Sequence, residues 1–199
     1  MKYASVRNLP SASLATTAYW ENFLDADQLD YLCKLVDAAT EPGGIGATDH
    51  PVVDASVRRS CIAWLERNHE TDAIWERVAD AVSRANATYF QYALDGFFEP
   101  GQLTRYDAEV SGHYDWHQDV ILESSGVMRK LSCALLLNDP SEFTGGEFLL
   151  KANSDAPDVV EQKRGRMWCF PAWMLHKVTP VTSGRRKTLV FWVGGPPFR

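Results

Sequence analysis

The segment from Gly112 to Asp119 carries two histidines and two carboxylates at alternate positions. It follows an apolar and aromatic stretch that predicts a β-strand, and residues two apart in an extended chain project to the same face. We therefore expect His117 and Asp119 to offer an imidazole nitrogen and a carboxylate oxygen to one point in space. His176, from a later strand, is a candidate third ligand. Two histidines and one carboxylate leave three adjacent positions of an octahedral metal open, which suits Fe(II).

One His-x-Asp triplet is weak support for a metal site, because such triplets are common by chance. This chain has two of them, His113-x-Asp115 and His117-x-Asp119. The cationic segment 184–188 strengthens the prediction, since a guanidinium there could bind a carboxylate. The surrounding sequence is aromatic and apolar, as a site that excludes water requires. Alternation in the last predicted strand places four side chains on one face: Arg186, Thr188, Val190 and Trp192.

Two helices are predicted in the first half of the chain. The first begins at Asp25, an N-cap followed three residues later by Gln28, and it ends before Pro42. The second begins at Thr71. Both have apolar residues at helical spacing, which predicts one buried face on each: Leu29, Leu32, Cys33 and Val36 in the first, and Ile74, Val78, Ala81, Val82 and Ala85 in the second.

Residues 41–57 contain three glycines and two prolines and are predicted to form a loop, which is a candidate lid over a site. A short strand is predicted over residues 58–65. From about residue 97 the sequence consists of short β-type runs separated by turn residues, which is typical of a sandwich or barrel. These runs lie at residues 101–106, 113–120, 130–137, 146–150, 166–170 and 187–193.

The fold expected from these elements is mainly β with N-terminal helices, an α+β chain with a double-stranded β-helix core of the jelly-roll, cupin-like kind. We expect one domain over residues 1–199, in which residues 1–98 supply helical support and a loop region and residues 99–199 form the core.

Composition excludes several classes of protein. The net charge is −6 and no basic run could follow phosphates, which argues against nucleic-acid binding. The first 14 residues lack an apolar core of signal-peptide type, and no apolar run is long enough to span a membrane. The four cysteines are widely spaced, which favours reduced thiols. A cytoplasmic protein is expected.

The stretch from Gln102 to Trp192 resembles the catalytic core of Fe(II)/2-oxoglutarate dioxygenases, in particular the prolyl 4-hydroxylase-like superfamily and its bacterial PKHD-type hydroxylases. The resemblance covers roughly the C-terminal half of the chain. The matching positions are Tyr106, Gly112-x-Tyr114-x-x-His117-x-Asp119, Lys130-Leu131-Ser132, Leu137-Asn138, Gly145-Gly146-Glu147, Gly165, Phe170-Pro171, His176-x-Val178-x-Pro180-Val181, Gly184-x-Arg186 and Trp192.

The resemblance implies specific roles for six residues. Fe(II) would be bound by His117, Asp119 and His176, and the distal carboxylate of 2-oxoglutarate by Arg186, with hydrogen bonds from Tyr106 and Thr188. A guanidinium matches a carboxylate with two parallel hydrogen bonds, which a lysine cannot do. The other triplet, His113-x-Asp115, is expected at the rim.

One departure from the family pattern affects the co-substrate. Some prolyl hydroxylases place a tyrosine against the distal carboxylate in the region of Leu135 and Leu136. Leucines stand there in this chain, so that contact is lost or supplied by another residue.

The activity implied is hydroxylation, with O2, of a C–H bond of a prolyl or other amino-acid side chain, releasing succinate and CO2; ascorbate is a possible reductant. A free amino acid or small metabolite is an alternative substrate. Two other classes stay open: a zinc hydrolase, which also uses two histidines and a carboxylate, and a non-catalytic jelly-roll module that binds a metal or ligand. The oligomeric state is not indicated.

Overall fold

The computed structural model of the protein describes residues 16–46, 51–151 and 156–198. These residues contain two antiparallel β-sheets. Within these residues the larger sheet contains β1 (Ala18–Trp20), β2 (Glu41–Pro42), β4 (Cys61–Leu65), β5 (Gly101–Asp107), β7 (Met128–Leu136), β8 (Phe143–Gly145), β11 (Met167–Pro171) and β13 (Val181–Gly195). The smaller sheet contains β3 (Arg58–Arg59), β6 (His113–His117), β9 (Phe148–Lys151), β10 (Asp158–Val160) and β12 (Leu175–Val178).

The chain passes repeatedly between the two sheets. The larger sheet has the order β1-β11-β7-β13-β5-β4-β2, with β8 paired to β13, and the smaller sheet has the order β10-β9-β12-β6-β3. The chain thus passes from β5 in the larger sheet to β6 in the smaller one and back to β7. This is the winding of a jelly roll, and it confirms the predicted mainly β fold with a double-stranded β-helix core.

Each face of the larger sheet packs against a different partner. On β7, Leu131, Cys133 and Leu135 are buried in one apolar cluster with α1 (Ala26–Asp37) and α2 (Asp72–Ala85). The alternate positions of the same strand, Ser132 and Leu136, face the smaller sheet, as strand geometry requires. The helices therefore cover one face of the larger sheet, and its other face is available to form the site.

Both predicted helices are confirmed. The Asp25 side chain accepts a hydrogen bond from the Gln28 backbone N–H at 2.8 Å, and the Gln28 side chain accepts one from the Asp25 N–H at 3.2 Å. The second helix follows Thr71 with the expected buried face, to which Trp75 is added. The Trp75 ring packs edge-on against Phe191 of β13 with 4.8 Å between centroids.

The region between the helices differs from its prediction. Residues 41–46 and 51–57 are not a simple loop: Glu41–Pro42 pairs with β4, and Ile45 forms a bridge with Val52. The predicted strand 58–65 is two strands, one in each sheet, because the chain crosses between the sheets at Ser60. Residues 47–50 of the candidate lid and the N-terminal residues 1–15 lie outside the described part of the chain.

The first half of the chain is more than helical support, because its strands β1, β2, β3 and β4 belong to the two sheets. In the second half, the predicted strand 146–150 is present as β9 at Phe148–Lys151, and it is separated from the preceding β8 at Gly146, where φ is +60°. The short strands β8 and β10 were not predicted, whereas β12 is the later strand that was expected to carry His176. The single domain over residues 1–199 stays a prediction. No helix within the described ranges is long and apolar enough to cross a membrane.

Candidate active site

Three side chains converge between β6 and β12 at one end of a cavity enclosed by the two sheets. His117 is the last residue of β6, and His176 lies directly opposite it on β12 with 4.0 Å between ring centroids. Asp119 follows two residues after β6. Its Oδ2 is 3.4 Å from His176 Nε2, and its Oδ1 is 3.8 Å from His117 Nε2. All three ligand atoms lie within 4.8 Å of one another, which is close enough for one metal ion to contact all of them.

The position of Asp119 has a different structural cause from the one predicted. The expected strand 113–120 ends at His117, so strand alternation does not align the two residues. Instead the backbone N–H groups of Asp119 and Val120 both donate to the Ala172 carbonyl, at 2.8 and 3.0 Å. This turn after the strand directs the carboxylate back towards the histidines.

Both histidines present Nε2 to the cluster. His117 Nδ1 lies 2.7 Å from the Asp115 carbonyl oxygen, and His176 Nδ1 lies 2.9 Å from the Met174 carbonyl oxygen. A carbonyl only accepts, so each Nδ1 carries the proton and donates it. The Nε2 lone pairs are therefore free to bind a metal, a tautomer that metal-binding histidines commonly use.

Electrostatics and hydrogen bonding keep the carboxylate ionised. Burial alone would raise the pKa of Asp119, but His176 and His117 outweigh it and hold the pKa below its usual value. Asp119 Oδ2 also accepts a hydrogen bond of 2.7 Å from Ser132 Oγ on β7. Burial, aided by His176, lowers the pKa of His117 to about 3, while burial of His176 is outweighed by Asp119, which raises its pKa. The donor set therefore offers one negative charge to a cation.

The three ligand candidates line a cavity of about 590 Å³. Its walls come from both sheets and include Tyr106, Phe148 and Trp192. Of the rim triplet, Asp115 forms an ion pair with Lys177 at 2.7 Å, and His113 lies outside the group of metal-ligand candidates. The later triplet alone faces the cavity.

Arg186 lies in the same cavity on β13, where it is paired with Tyr106 of β5. It is only 4% exposed, and burial lowers its pKa to about 10. Its Nε donates to Gln162 Oε1 at 2.9 Å. Within residues 16–46, 51–151 and 156–198, no carboxylate lies within 4.0 Å of its guanidinium. A buried cation without a counter-charge is costly unless an anion binds it.

The neighbours of Arg186 make room for such an anion. Gly146 packs against its side chain so closely that a Cβ there would lie 2.9 Å from Arg186 Cδ. Tyr106 and Thr188 are buried and line the cavity beside it. Thr188 pairs with Leu136 of β7, one of the two leucines in the region where a tyrosine was expected from some prolyl hydroxylases. Gln162 was not predicted: it follows the short strand β10, and no motif or spacing in the sequence marks it.

Comparison with known proteins agrees with this geometry. A family model described as the 2OG-Fe(II) oxygenase superfamily matches residues 101–194. A PKHD-type hydroxylase of Janthinobacterium sp. is 36% identical over 142 residues, which cover 66% of this chain and 62% of the relative. Residues 101–194 of the chain are thus similar to the 2OG-Fe(II) oxygenase superfamily. A PKHD-type hydroxylase of Acinetobacter baumannii is 27% identical over 180 residues, which cover 86% of this chain and 75% of the relative.

Solved structures of the superfamily share the fold. A Pseudomonas putida prolyl-4-hydroxylase superposes with a TM-score of 0.69 at 18% identity, covering 92% of this chain and 94% of the other. A Trichoplax adhaerens prolyl hydroxylase gives 0.71 at 18% identity, covering 89% and 83%. Among sequence relatives the matched region is shorter: it spans 62% of the Janthinobacterium protein and 54% of a PKHD-type hydroxylase of Xylella fastidiosa.

Proposed function

We propose that the protein is an Fe(II)- and 2-oxoglutarate-dependent dioxygenase that hydroxylates an unactivated C–H bond and releases succinate and CO2. One observation carries this proposal: a His-Asp-His set, with Asp119 and His176 buried and His117 half-buried, and a buried arginine without a counter-charge in the described residues line one cavity. The first suits a divalent metal and the second suits a carboxylate. 2-Oxoglutarate needs both, because it chelates a metal at one end and carries a carboxylate at the other.

His117, Asp119 and His176 would hold the iron. Two imidazole nitrogens and one carboxylate oxygen are the donors that non-haem Fe(II) prefers when further positions must stay open. When bound, Fe(II) and 2-oxoglutarate supply the activation of O2 that removes hydrogen from the substrate. The protein's own contribution is to fix the ligands: the Asp115 and Met174 carbonyls orient the imidazoles, and Ser132 orients the carboxylate.

Arg186 would bind the distal carboxylate of 2-oxoglutarate through two parallel hydrogen bonds. The hydroxyls of Tyr106 and Thr188 would add hydrogen bonds to the same molecule. Leu136 has no polar group that could bind the distal carboxylate. Gln162 instead supports the binding of that carboxylate by accepting a hydrogen bond from Arg186 Nε, which fixes the guanidinium. The aromatic wall then keeps water from the reacting centre.

The substrate proposed is a prolyl or other amino-acid side chain. In support, the Trichoplax neighbour is a prolyl hydroxylase in complex with a peptide fragment. A free amino acid or small metabolite is the second candidate, since the cavity is large enough to take one whole. O2 would be the other substrate, and ascorbate a reductant. Cys33, Cys61, Cys133 and Cys169 are free thiols, which supports a cytoplasmic location.

Two rival functions explain the site less well. A zinc hydrolase would use the three ligands and an activated water, but it has no use for a buried Arg186 beside them. A non-catalytic module would bind ligand and metal but not turn over. Consumption of 2-oxoglutarate with formation of succinate separates both rivals from the proposed dioxygenase.

The direct test is anaerobic addition of 2-oxoglutarate to the Fe(II)-loaded protein. A chelated keto acid gives a weak visible charge-transfer band, and we expect that band in wild type, its loss in His176→Ala and its weakening in Arg186→Ala. If wild type binds iron and shows no band at saturating 2-oxoglutarate, the co-substrate assignment is wrong and the hydrolase or binding module becomes the better explanation.

A further inference from the structure

Arg58 is a second buried arginine of the same cavity. It is 6% exposed, lies on β3 opposite Tyr114 of β6, and contributes to the cavity wall. Its three nitrogens donate to Ser60 Oγ at 2.9 Å, to the Gly44 carbonyl at 2.8 Å and to Gln102 Oε1 at 2.7 Å. Every one of these acceptors is neutral.

The neighbouring Arg129 shows what a compensated cation in this cavity looks like. Its Nε and one terminal nitrogen bind both carboxylate oxygens of Glu99, at 2.6 and 2.5 Å. Arg58 has no such partner among the residues that the structure describes, since neither Glu41 nor Asp119, the two acids that line the cavity, forms an ion pair with it. Three hydrogen bonds use three of its five N–H groups, so two can still donate to a ligand.

The guanidinium is also close to the metal-ligand candidates. It lies over the Tyr114 ring at 4.6 Å from the centroid, and that ring stacks on the His117 imidazole at 3.4 Å between centroids. The three groups form one stack that ends at the metal-binding residues. A molecule bound to Arg58 would therefore extend towards the iron within a few bonds of its anionic group.

The charges of the assembled site leave Arg58 uncompensated. If iron and co-substrate bind as proposed above, Fe(II) and Arg186 balance the two charges of 2-oxoglutarate and the one of Asp119. The pair of Arg129 and Glu99 cancels internally. The remaining buried charge that lines the cavity is that of Arg58, and a buried charge is stable when it is paired. The partner must then come from the substrate.

We propose that the substrate carries a carboxylate that Arg58 binds, with the hydroxylated carbon a few bonds away from it. This inference rests on the proposed dioxygenase function and narrows its substrate class. The carboxylate belongs either to a free amino acid or other small acid, or to an acidic side chain or C-terminus of a peptide. Both sources offer the same anion to the same guanidinium.

The test uses the protein loaded with Mn(II) and saturating 2-oxoglutarate, so that Arg186 is already occupied. Acetate labelled with 13C at the carboxylate is compared with acetamide, its neutral isostere, by paramagnetic relaxation of the labelled carbon. We expect acetate to bind about tenfold more tightly than acetamide. Arg58→Gln should abolish that preference, and Arg58→Lys, which keeps the charge, should retain part of it.

Arg59→Gln is the matched control. Arg59 is the next residue of β3, but it is exposed and donates to the Ala55 carbonyl. Its replacement should leave the acetate preference unchanged. Equal binding of acetate and acetamide by wild type overturns the inference, as does an acetate preference that survives in Arg58→Gln. If Asp49→Asn creates an acetate preference that wild type lacks, Asp49 is the partner of Arg58 and the inference is again overturned.

Two further probe pairs distinguish the sources of the carboxylate. N-acetyl-L-proline is compared with its amide, and a prolyl-aspartyl peptide with its prolyl-asparaginyl analogue, all with blocked ends otherwise. Preference for the first acid indicates a small-molecule or C-terminal carboxylate, and preference for the second indicates an acidic side chain. The charge-transfer band with 2-oxoglutarate is recorded on each variant. If the charge-transfer band appears but no carboxylate is preferred, only the role of Arg58 is disproved and the dioxygenase proposal stands. If wild type shows no band, the dioxygenase proposal itself is disproved.

Discussion

His117 and His176 face each other across the β6–β12 pair, and the Nδ1 atom of each is hydrogen-bonded to a backbone carbonyl two residues earlier in the chain. The same local arrangement thus occurs on two antiparallel strands. Each strand fixes its own imidazole, and the pairing of the strands brings the two Nε2 atoms to one side. The placement of the two imidazoles is therefore a property of the sheet, whereas Asp119 is placed by the turn that follows β6.

Replacement of His176 by alanine should remove metal binding. The variant keeps Asp119 and His117 but loses one of three ligands, and we expect Fe(II) or Mn(II) affinity to fall by more than about 100-fold. Calorimetric titration of the anaerobic protein measures this. His113→Ala is the control, since His113 belongs to the rim triplet and should leave metal affinity unchanged. If both variants lose metal affinity, the assignment of the metal site to the triplet His117-x-Asp119 and not to His113-x-Asp115 is wrong.

Arg186→Lys should weaken the binding of 2-oxoglutarate and leave the binding of a shorter keto acid unchanged. Lysine keeps the charge but cannot form two parallel hydrogen bonds, so we expect KM for 2-oxoglutarate to rise by about 10- to 100-fold. 2-Oxobutyrate lacks the distal carboxylate and should bind wild type and variant equally. Steady-state consumption of both keto acids measures the difference. A parallel loss with 2-oxobutyrate would mean that Arg186 supports the metal site instead.

Gln162 should affect the co-substrate through Arg186. Gln162→Leu removes the acceptor of Arg186 Nε, and we expect a few-fold rise in KM for 2-oxoglutarate with little change in metal affinity. Gln162→Glu should be worse, because its carboxylate would pair with Arg186 and compete with the co-substrate. Glu161→Gln, one residue away, breaks the ion pair between the exposed Glu161 and the buried Arg166 and serves as control. If the glutamate variant binds 2-oxoglutarate more tightly than the leucine variant, the positioning role is wrong.

Much of this arrangement can be read from local patterns in the sequence. The capping pair of Asp25 and Gln28 marked a helix start because both partners of the cap lie within one turn. The strand positions of Arg186 and Thr188 followed from alternation because β13 pairs with β5 without a break from Arg185 to Val190. The position of His176 opposite His117 also agrees with the return of a strand in a jelly roll.

The features that the sequence did not predict depend on contacts between distant segments. Asp119 joins the histidines through the carbonyl of Ala172, 53 residues later in the chain. Gln162 contacts Arg186 from an irregular segment after β10, and the split of residues 58–65 between two sheets depends on where each half finds a partner strand. Neither propensity nor periodicity contains that information.

Gly146 should be required for the position of Arg186. Gly146→Ala places a side chain at a φ of +60°, which costs about 1 kcal/mol of stability or more, and its Cβ would lie 2.9 Å from Arg186 Cδ. Arg186 must then move, so we expect weaker binding of 2-oxoglutarate in addition to a lower midpoint of urea unfolding.

Gly126→Ala separates the two effects. Gly126 has a φ of +83°, but a Cβ added there meets no atom within 4 Å. This variant should therefore lose a similar amount of stability while its affinity for 2-oxoglutarate stays at the wild-type value. Equal loss of co-substrate affinity in the two variants would mean that backbone strain, and not the contact with Arg186, explains the glycine at position 146.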